Sequence, residues 1–288
     1  MKSELALPAN SVGRVVLGDN LELLRALPDR CVDLIYVDPP FNTGKVQKRE
    51  RLRTVRDAHG DRTGFGGRRY KSEKLASAGS FDDTYDDYLA FLQPRIEEAH
   101  RVLAEHGSFY LHLDYREVHY AKVLTDRIFG RQCFLNEIIW AYDYGARAKR
   151  KWPPKHDNIL LYAKHKERYH YDSAEVDRIP YMAPALVGAE KAAVGKLPTD
   201  TWWHTIVSPT GKEKLGYPTQ KPLGILNRII RASCPKGGVV LDFFAGSGTT
   251  GAAALASGRR FLLVDHSPEA FAVMRKRFAG VDGVEWVG

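Results

Sequence analysis

A glycine-rich turn near the end of the chain constrains its fold more than any other feature. The six residues from Gly246 to Gly251 (GSGTTG) match the pattern GxGxxG and lie between a predicted apolar strand and a predicted helix of small residues. This arrangement is typical of α/β sheets that bind nucleotides, in which the turn brings the backbone close to a ligand. The chain has 288 residues, so only 37 follow Gly251, enough for one more strand and one more helix. The other strands must therefore come from the N-terminal half, and we expect a mostly parallel α/β sheet with helices on both faces and a permuted order.

Two aspartates beside this turn distinguish between classes of ligand. Asp242 lies four residues before Gly246, at the end of the same predicted strand, and Asp265 ends the next predicted strand. A carboxylate repels the pyrophosphate of a dinucleotide but attracts the ammonium group of a methionine moiety. Asp265 is placed to bind ribose hydroxyl groups. The pattern favours S-adenosylmethionine as the ligand, and an NAD-dependent oxidoreductase is the alternative enzyme.

A second turn carries the candidate chemistry. Asp38-Pro39-Pro40-Phe41 directly follows the apolar run Val32–Val37, which is typical of a parallel strand buried on both faces. A carboxylate and a proline-fixed carbonyl can accept the two N–H bonds of an amino group whose lone pair is otherwise delocalised into a base ring. This prepares the nitrogen to attack a sulfonium methyl group, and the prolines fix the geometry in advance. Phe41 offers a ring on which an extruded base stacks, a contact worth about 1–3 kcal/mol per base.

Together, the two turns resemble those of the β-class amino-methyltransferases of bacterial DNA, which act on N6 of adenine or N4 of cytosine. In that family a D/S-P-P-Y/F motif precedes the cofactor motif, and a target-recognition region lies between them. The resemblance implies a Rossmann-like methyltransferase fold with permuted motif order, S-adenosyl-L-methionine as cofactor and double-stranded DNA as substrate. It implies that the catalytic residues are Asp38, Pro39, Pro40 and Phe41. The cofactor-binding residues that it implies are Asp19 after Gly18, Lys221 and Pro222 in the segment TQKP, and Asp242, Phe244, Ala245, Gly246, Ser247, Gly248, Thr249, Thr250 and Asp265.

The same resemblance divides the chain into three parts. Residues 1–142 form the catalytic half, residues 143–205 the inserted target-recognition region, and residues 206–288 the cofactor-binding half of the methyltransferase domain. Within the first part, residues 43–80 are interrupted by glycines and are predicted to be a mobile loop, with or without a helical piece.

Basic residues concentrate in the loop 43–80 and in the aromatic region 143–205. The loop carries eleven basic and four acidic residues, and the whole chain has a formal net charge of +8, which favours a polyanionic partner. The alternatives are a solvated charged loop and, for Trp140 and Tyr142, aromatic side chains of the core. The candidate DNA-binding residues are Lys45, Arg49, Arg68, Arg69, Trp140, Tyr142, Arg147, Lys149, Arg150 and Lys151.

Apolar periodicity predicts several element boundaries. Asn20 is predicted to cap a helix that runs to Leu27, and a longer helix is predicted over residues 85–105. After a closing helix at 269–278 only a short tail is expected. Residues 143–205 show no regular pattern and are predicted to be irregular.

The cysteines and the hydropathy pattern indicate the compartment. Cys31, Cys133 and Cys234 lack the spacing of metal ligands, so neither a disulfide framework nor a metal site is predicted. No apolar run approaches the roughly 18 residues of a membrane span, and we expect a soluble cytoplasmic protein. A homodimer and a cognate restriction endonuclease are further partners that the family resemblance suggests.

The choice of base depends on the first residue of the catalytic turn. Aspartate favours N6 of adenine, because members of the family that act on N4 of cytosine more often carry serine. N4 of cytosine stays open as the alternative, and so does RNA, against which only the family resemblance argues. Methylation at C5 of cytosine needs a cysteine nucleophile in a Pro-Cys pair, whereas Cys234-Pro235 has the reverse order. A non-catalytic DNA-binding module would require a degenerate turn, and residues 38–41 are intact.

Overall fold

A computed structural model of the chain describes residues 7–8, 10–42, 45–48, 51–56, 62–63, 69–75, 80–83, 85, 87–143, 150–208, 211 and 213–288. The chain divides into two units, one made of Met1–Phe41 and Asp87–Gly288 and the other of Asn42–Asp86. The first, larger unit contains every residue with a predicted catalytic or cofactor-binding role.

The described residues form fourteen strands and seven α-helices. The strands are β1 (Gly13–Leu17), β2 (Val32–Val37), β3 (Lys45–Lys48), β4 (Arg51–Arg56), β5 (Arg62–Thr63), β6 (Arg69–Leu75), β7 (Ser80–Asp83), β8 (Leu103–Leu113), β9 (Phe134–Ala141), β10 (His156–Ala163), β11 (Thr201–Trp203), β12 (Val239–Asp242), β13 (Arg260–Asp265) and β14 (Val284–Val287). The α-helices are α1 (Asn20–Ala26), α2 (Tyr88–Val102), α3 (Val118–Phe129), α4 (Ala189–Val194), α5 (Leu223–Ser233), α6 (Thr249–Ala256) and α7 (Pro268–Arg277). Short 3₁₀ helices cover Arg131–Cys133 and Pro184–Leu186.

Nine of these strands form one sheet in the larger unit, in the order β11-β9-β10-β8-β2-β12-β13-β1-β14. Neighbouring strands are parallel except for β10, which runs antiparallel to both β8 and β9. β2 comes from the N-terminal half and β12 leads into the glycine turn, yet they are neighbours, with Leu34 opposite Val240 and Ile35 opposite Leu241. The prediction of a mostly parallel sheet with permuted order is confirmed.

The centre of the sheet is buried because its strands are almost continuous apolar runs. Leu34 and Ile35 in β2 are fully buried, as are Leu241 in β12 and Leu263 in β13. Strands covered on both faces need apolar side chains on both. The helices pack in neighbouring pairs, α1 with α2, α2 with α3, and α5 with α6. Across the described ranges, no helix is long and apolar enough to cross a membrane.

The N-terminal cap of α1 is Asp19 rather than the predicted Asn20. The Asp19 carboxylate accepts hydrogen bonds from the backbone N–H groups of Leu21 (2.8 Å) and Glu22 (3.0 Å). Asn20 is the first helical residue, and its side-chain amide donates to the carbonyl of Phe243 (2.8 Å). Aspartate and asparagine cap helices about equally well. The local sequence therefore does not decide which of the two is the cap. The hydrogen bond between Asn20 and the distant Phe243 does, because it uses the side chain of Asn20 elsewhere.

Residues 143–205 contain two strands of the main sheet, β10 and β11, so the prediction of an irregular region is wrong for these segments. β10 lies between β8 and β9, and residues 157–163 are buried. The apolar part of the strand is short and lies between proline- and lysine-rich flanks, which concealed it in the sequence. The predicted tail after α7 likewise contains β14, which pairs in parallel with β1.

Residues 42–86 contain two small antiparallel sheets, so the loop prediction is wrong for the described strands. β3 pairs with β7, and β6 pairs with both β4 and β5. The sequence of β4, RLRTVR, interleaves basic residues with the apolar and β-branched types that are enriched in strands. Of the predicted DNA-binding residues, Lys45 lies in β3 and Arg69 in β6, whereas Arg49 and Arg68 lie outside the described residues.

Leu34→Ala is expected to lower the free energy of unfolding by about 2–5 kcal/mol, because it removes fully buried apolar atoms and leaves a cavity at the centre of the sheet. Val123→Ala, at a position of α3 that is 53% exposed, is the control and should change the value by less than about 0.5 kcal/mol. Denaturant unfolding followed by circular dichroism measures both. Equal effects of the two substitutions would contradict the central position of β2.

Candidate active site

The candidate residues converge at the carboxyl ends of four parallel strands. Asp38 follows β2, and Asp242 and Asp265 are the last residues of β12 and β13. Asp19 follows β1 after one glycine. Parallel strands end at the same edge of a sheet, which is where ligands of open α/β sheets bind. The sheet therefore brings the catalytic turn (residues 38–41) to the glycine turn.

The carboxylate of Asp38 has one oxygen in an ion pair and one oxygen without a partner. The ammonium of Lys221 contacts Oδ2, and the side chains of Lys221 and Asp38 are only 13% and 15% exposed. Oδ1 is buried and accepts no hydrogen bond from the part of the chain that the structure describes. A buried polar atom without a partner costs on the order of 1–3 kcal/mol. Oδ1 is therefore an acceptor that the amino group of a substrate can satisfy.

Tyr88 fixes the backbone of the catalytic turn. Its hydroxyl donates a hydrogen bond of 2.6 Å to the carbonyl of Pro40, and its side chain is buried at the first position of α2. Because Pro39 and Pro40 also restrict the backbone, the turn is held both by its own residues and by the neighbouring helix. Tyr88 was not among the predicted site residues, since nothing in the local sequence distinguishes a tyrosine that bonds to a distant turn from one that only packs in the core.

A chain of buried hydrogen bonds lies beside the catalytic turn. His112 Nδ1 is 2.6 Å from the hydroxyl of Tyr36, and His112 Nε2 is 3.2 Å from Oδ2 of Asp157. The hydroxyl of Tyr142 donates to Oδ1 of Asp157 (3.0 Å). Burial opposes ionisation of Asp157, but the contacts with His112 and the charge of Lys221 hold its pKa below the usual range. This carboxylate is therefore ionised at neutral pH and orients the histidine.

The ring of His112 links Phe41 to the aromatic residues at the end of β9. Its centroid is 5.9 Å from that of Phe41 and 5.5 Å from that of Trp140, which is 2% exposed. The indole N–H of Trp140 donates to the carbonyl of His204 (2.7 Å). These contacts favour the core role for Trp140 over direct contact with DNA. Tyr142, with its ring centroid 5.2 Å from that of Trp140, is only partly buried and remains a candidate for the wall of a base pocket.

The glycine turn between β12 and α6 has the backbone that its sequence predicts. Gly246 and Gly248 have φ angles of +50° and +72°, which favour glycine over residues with a side chain. A Cβ atom at Gly248 would lie 2.8 Å from Cγ of Met274. Asp265 accepts hydrogen bonds from the N–H groups of Gly246 (2.8 Å) and Ser267 (2.9 Å). Its carboxylate braces the turn, and each oxygen keeps a second lone pair for a ligand hydroxyl.

Asp242 is 3% exposed, and both of its oxygens already accept hydrogen bonds. Oδ1 accepts from the backbone N–H of Phe244 (3.0 Å), and Oδ2 accepts from the hydroxyl of Thr250 (2.6 Å). Burial raises the pKa of Asp242 to about 7; the two hydrogen bonds oppose this shift, and the charges of Asp38 and Asp265 add to it. Asp242 therefore stabilises the turn through these hydrogen bonds, and a cation that binds nearby lowers its pKa.

The other residues of the glycine turn are held by the sheet and by the closing helix. Ala245 donates its N–H to the carbonyl of Val264 (3.0 Å). The hydroxyl groups of Ser247 and Thr249 are 3.0 Å apart, and the guanidinium of Arg277 donates to the carbonyl of Ser247 (2.6 Å). Arg277 lies on α7 and was not among the predicted site residues.

The segment TQKP lies at the site, where the ammonium of Lys221 contacts the carboxylate of Asp38. The side chain of Gln220 donates to the carbonyl of Glu213 (2.7 Å), which closes the loop before α5. This loop places Tyr217 so close to Gly246 that a Cβ on the glycine would lie 3.0 Å from the tyrosine ring. Tyr217 therefore covers the turn, and the cofactor role of Lys221 stays a prediction.

Two further predicted cofactor residues lie at the starts of helices. Pro222 is buried directly before α5. Asp19 caps α1 with Oδ1, its Oδ2 is 3.9 Å from the guanidinium of Arg95, and its side chain is 51% exposed. Arg95 is held in turn by Asn20 (2.8 Å) and by the ring of Phe91 (4.0 Å to the centroid). The exposed carboxylate of Asp19 remains accessible to a ligand at this edge of the sheet.

The described part of residues 143–205 presents an exposed basic and aromatic segment. Arg150 and Lys151 are exposed, and Trp152 is 95% exposed. Arginine and lysine contact phosphates, and aromatic rings stack on bases, so this segment keeps its candidate role in binding DNA. The predicted residues Arg147 and Lys149 lie outside the described residues.

Asp242→Asn is expected to change how the stability of the cofactor-free protein depends on pH. Folded Asp242 holds its proton up to about pH 7, whereas an unfolded aspartate releases it at about pH 3.9. Between these values the folded state binds more protons, so the free energy of unfolding falls as the pH rises, by at most about 1.4 kcal/mol per unit, and the contribution is constant above pH 7. Melting temperatures measured across this range should fall less steeply for the variant than for the native protein. Parallel curves would contradict the raised pKa.

Comparison with known proteins places this arrangement in a family. Residues 32–276 match the N6/N4 methyltransferase family described as DNA methylase. The chain is 30% identical to the DNA adenine methyltransferase YhdJ of Escherichia coli over 273 residues, which cover 90% of this chain and 80% of that protein. It is 27% identical to the type II methyltransferase M.HpaI of Haemophilus parainfluenzae over 278 residues, covering 94% and 77% of the two chains.

Solved structures share the fold. The PvuII DNA methyltransferase, described as cytosine-N4-specific, matches with a TM-score of 0.63 at 18% identity over 96% of this chain and 90% of that chain. A DNA modification methylase of Thermus thermophilus, complexed with S-adenosyl-L-methionine, matches with a TM-score of 0.60 at 21% identity over 96% and 98% of the two chains. These likenesses confirm the predicted methyltransferase fold.

The match to the family contains both the catalytic turn and the glycine turn. It confirms the predictions of a DNA amino-methyltransferase and of S-adenosyl-L-methionine as its cofactor. The chain therefore belongs to the N6/N4 family of DNA methylases, which transfer a methyl group from S-adenosylmethionine to an amino group of a DNA base.

Proposed function

We propose that this enzyme methylates N6 of adenine in double-stranded DNA, on a base that leaves the helix and enters the site. The observation that carries the proposal is Oδ1 of Asp38, a buried acceptor that no described residue satisfies, in the same turn as the ring of Phe41. An aspartate at this position favours adenine, and the relative YhdJ is described as a DNA adenine methyltransferase. N4 of cytosine is the second candidate, supported by the shared fold of the PvuII enzyme.

The catalytic turn acts on the amino group of the base. Oδ1 of Asp38 accepts one N–H bond and a backbone carbonyl of the proline pair accepts the other, so the nitrogen lone pair is localised for attack. Both acceptors are positioned before the base arrives, since Tyr88 holds the backbone of the turn. S-adenosylmethionine, when bound, supplies an electrophilic methyl group. The carboxylate of Asp38 accepts the proton that the nitrogen loses.

The base is held by the ring of Phe41. An extruded base loses its stacking in the duplex, and an aromatic face restores part of that energy. His112 packs against this ring, with its own orientation set by Tyr36 and Asp157. The pocket wall is therefore supported by a network of hydrogen bonds as well as by packing.

The cofactor is bound by the glycine turn and by aspartates at the neighbouring strand ends. The positive φ angles of Gly246 and Gly248 give a turn without Cβ atoms, which lets a ligand approach the backbone. Asp265 accepts hydrogen bonds from the ribose hydroxyls with its remaining lone pairs, and Asp19 binds the adenine moiety. Asp242 attracts the ammonium group through its charge, since its oxygens already serve the turn. The residues present therefore fit the cofactor.

The basic segments bind the DNA backbone. Arg150, Lys151 and Trp152 supply exposed cations and a ring in the recognition region, and Lys45 and Arg69 supply cations in the smaller unit. The division of the chain into a catalytic half, a recognition region and a cofactor half belongs to this proposal. Family resemblance adds a homodimer, a cognate restriction endonuclease and a cytoplasmic location.

Nucleoside mass spectrometry on unmethylated bacterial DNA, incubated with the protein and S-adenosylmethionine, tests the choice of base. N6-methyladenine is the expected product, and N4-methylcytosine would overturn the choice of base while keeping the mechanism.

Asp38→Asn is expected to lower methyl transfer by at least about 100-fold while cofactor affinity, measured by calorimetry, stays unchanged. Asp282→Asn, at an exposed position, is the control. Normal turnover of Asp38→Asn would remove the assigned role.

Replacing both Arg150 and Lys151 with alanine is expected to weaken DNA binding and to flatten its salt dependence. The slope of log K against log salt should change by about 0.9 for each phosphate contact that is lost. Lys166→Ala with Arg168→Ala is the control, because these residues follow the end of antiparallel β10 and so lie at the opposite edge of the sheet. An unchanged slope for the Arg150 and Lys151 variant would mean that this segment is a solvated surface that does not contact phosphates.

A further inference from the structure

We propose that Lys221 is a positioning residue for methyl transfer: its ammonium holds one oxygen of Asp38 so that the other oxygen is presented to the amino group of the base. The proposal rests on the role assigned to Asp38 above. It differs from the cofactor role that the TQKP segment implies, because the structure places the side chain at the catalytic turn.

The ammonium of Lys221 contacts both parts of the turn that receive the base. It pairs with Oδ2 of Asp38, and its Nζ lies over the ring of Phe41, 5.0 Å from the centroid. Cations are attracted to aromatic faces at such distances. The two contacts together fix the ammonium relative to the carboxylate and the ring.

The backbone around Lys221 limits where its side chain can go. Gln220, on one side, is 7% exposed and bonded to the carbonyl of Glu213. Pro222, on the other side, is buried and leads directly into α5. The lysine side chain itself is only 13% exposed, so its long chain is confined rather than free in solvent. This confinement lowers the entropy that the contact with Asp38 must overcome.

An unrestrained carboxylate would be a poorer acceptor for the amino group. Rotation about the Cβ–Cγ bond exchanges the two oxygens of such a carboxylate. Lys221 opposes this exchange, because its ammonium occupies Oδ2. Oδ1 is left as a buried acceptor without a donor among the described residues. A prepared acceptor of this kind contributes to the rate, since it needs no reorganisation during the reaction.

Kinetics of Lys221→Met and Lys221→Arg test the proposal, with Lys166→Met at the opposite edge of the sheet as the control. Total methyl transfer from tritiated S-adenosylmethionine to DNA is measured at saturating cofactor and DNA, so that either base is counted. The methionine variant is expected to lose about 10- to 100-fold in kcat, and arginine to restore part of the loss by keeping the charge. Cofactor affinity by calorimetry and DNA affinity are expected to be unchanged.

Three results would overturn the proposal. Weaker cofactor binding with a normal kcat at saturation would mean that Lys221 binds the cofactor and does not position Asp38. Weaker DNA binding with a normal kcat would make it a phosphate contact. An unchanged or increased kcat would mean that the ammonium only fills the base position in the free enzyme.

A thermal double-mutant cycle tests the contact without any turnover. Melting temperatures of Lys221→Met, Asp38→Asn and the double variant are compared with the native protein. Effects that do not add are expected for two residues in direct contact, and additive effects would refute the ion pair. A cytosine product in the mass spectrometry experiment would overturn the base assignment alone, because neither the cycle nor the tritium assay depends on which base is methylated.

Discussion

The pairing of β2 with β12 is the constraint on which the rest of the structure depends. Its register sets Leu34 opposite Val240, so the catalytic turn after β2 and the glycine turn after β12 open at the same edge of the sheet. A slip by one residue would turn every side chain of a strand to its other face, and both strands are filled with apolar residues that fit the core. This register therefore brings residues 38–41 and the glycine turn together.

Negative charge at this edge sets the electrostatics of the site. Burial raises the pKa of both Asp242 and Asp265, so the charged form of each carboxylate is unfavourable here. A cationic cofactor relieves this cost, whereas a pyrophosphate would increase it. Asp242 therefore favours a cationic ligand over a pyrophosphate through its negative charge. It does not need to contact the ligand directly, because its oxygens bond to Phe244 and Thr250.

The sequence predicts those elements whose signals are local. The turns at residues 38–41 and 246–251 combine glycines, prolines and aspartates with continuous apolar strands, and both lie where they were predicted. β10 has no such signal: its short apolar run becomes a strand because β8 and β9 provide hydrogen-bonding partners on either side. The strands within residues 42–86 were missed for a related reason, because their basic residues resemble those of a solvated loop and only pairing distinguishes the two.

Contacts within the site depend on residues that are distant in sequence, so the sequence alone predicts which residues gather but not what each one touches. Lys221 and Asp38 are 183 positions apart, and a lysine in the segment TQKP has the same local pattern whether it faces a cofactor or a carboxylate. The loop closed by Gln220 places Tyr217 against Gly246, and the ammonium of Lys221 contacts the carboxylate of Asp38. A motif residue thus takes its role from the atoms that its side chain reaches.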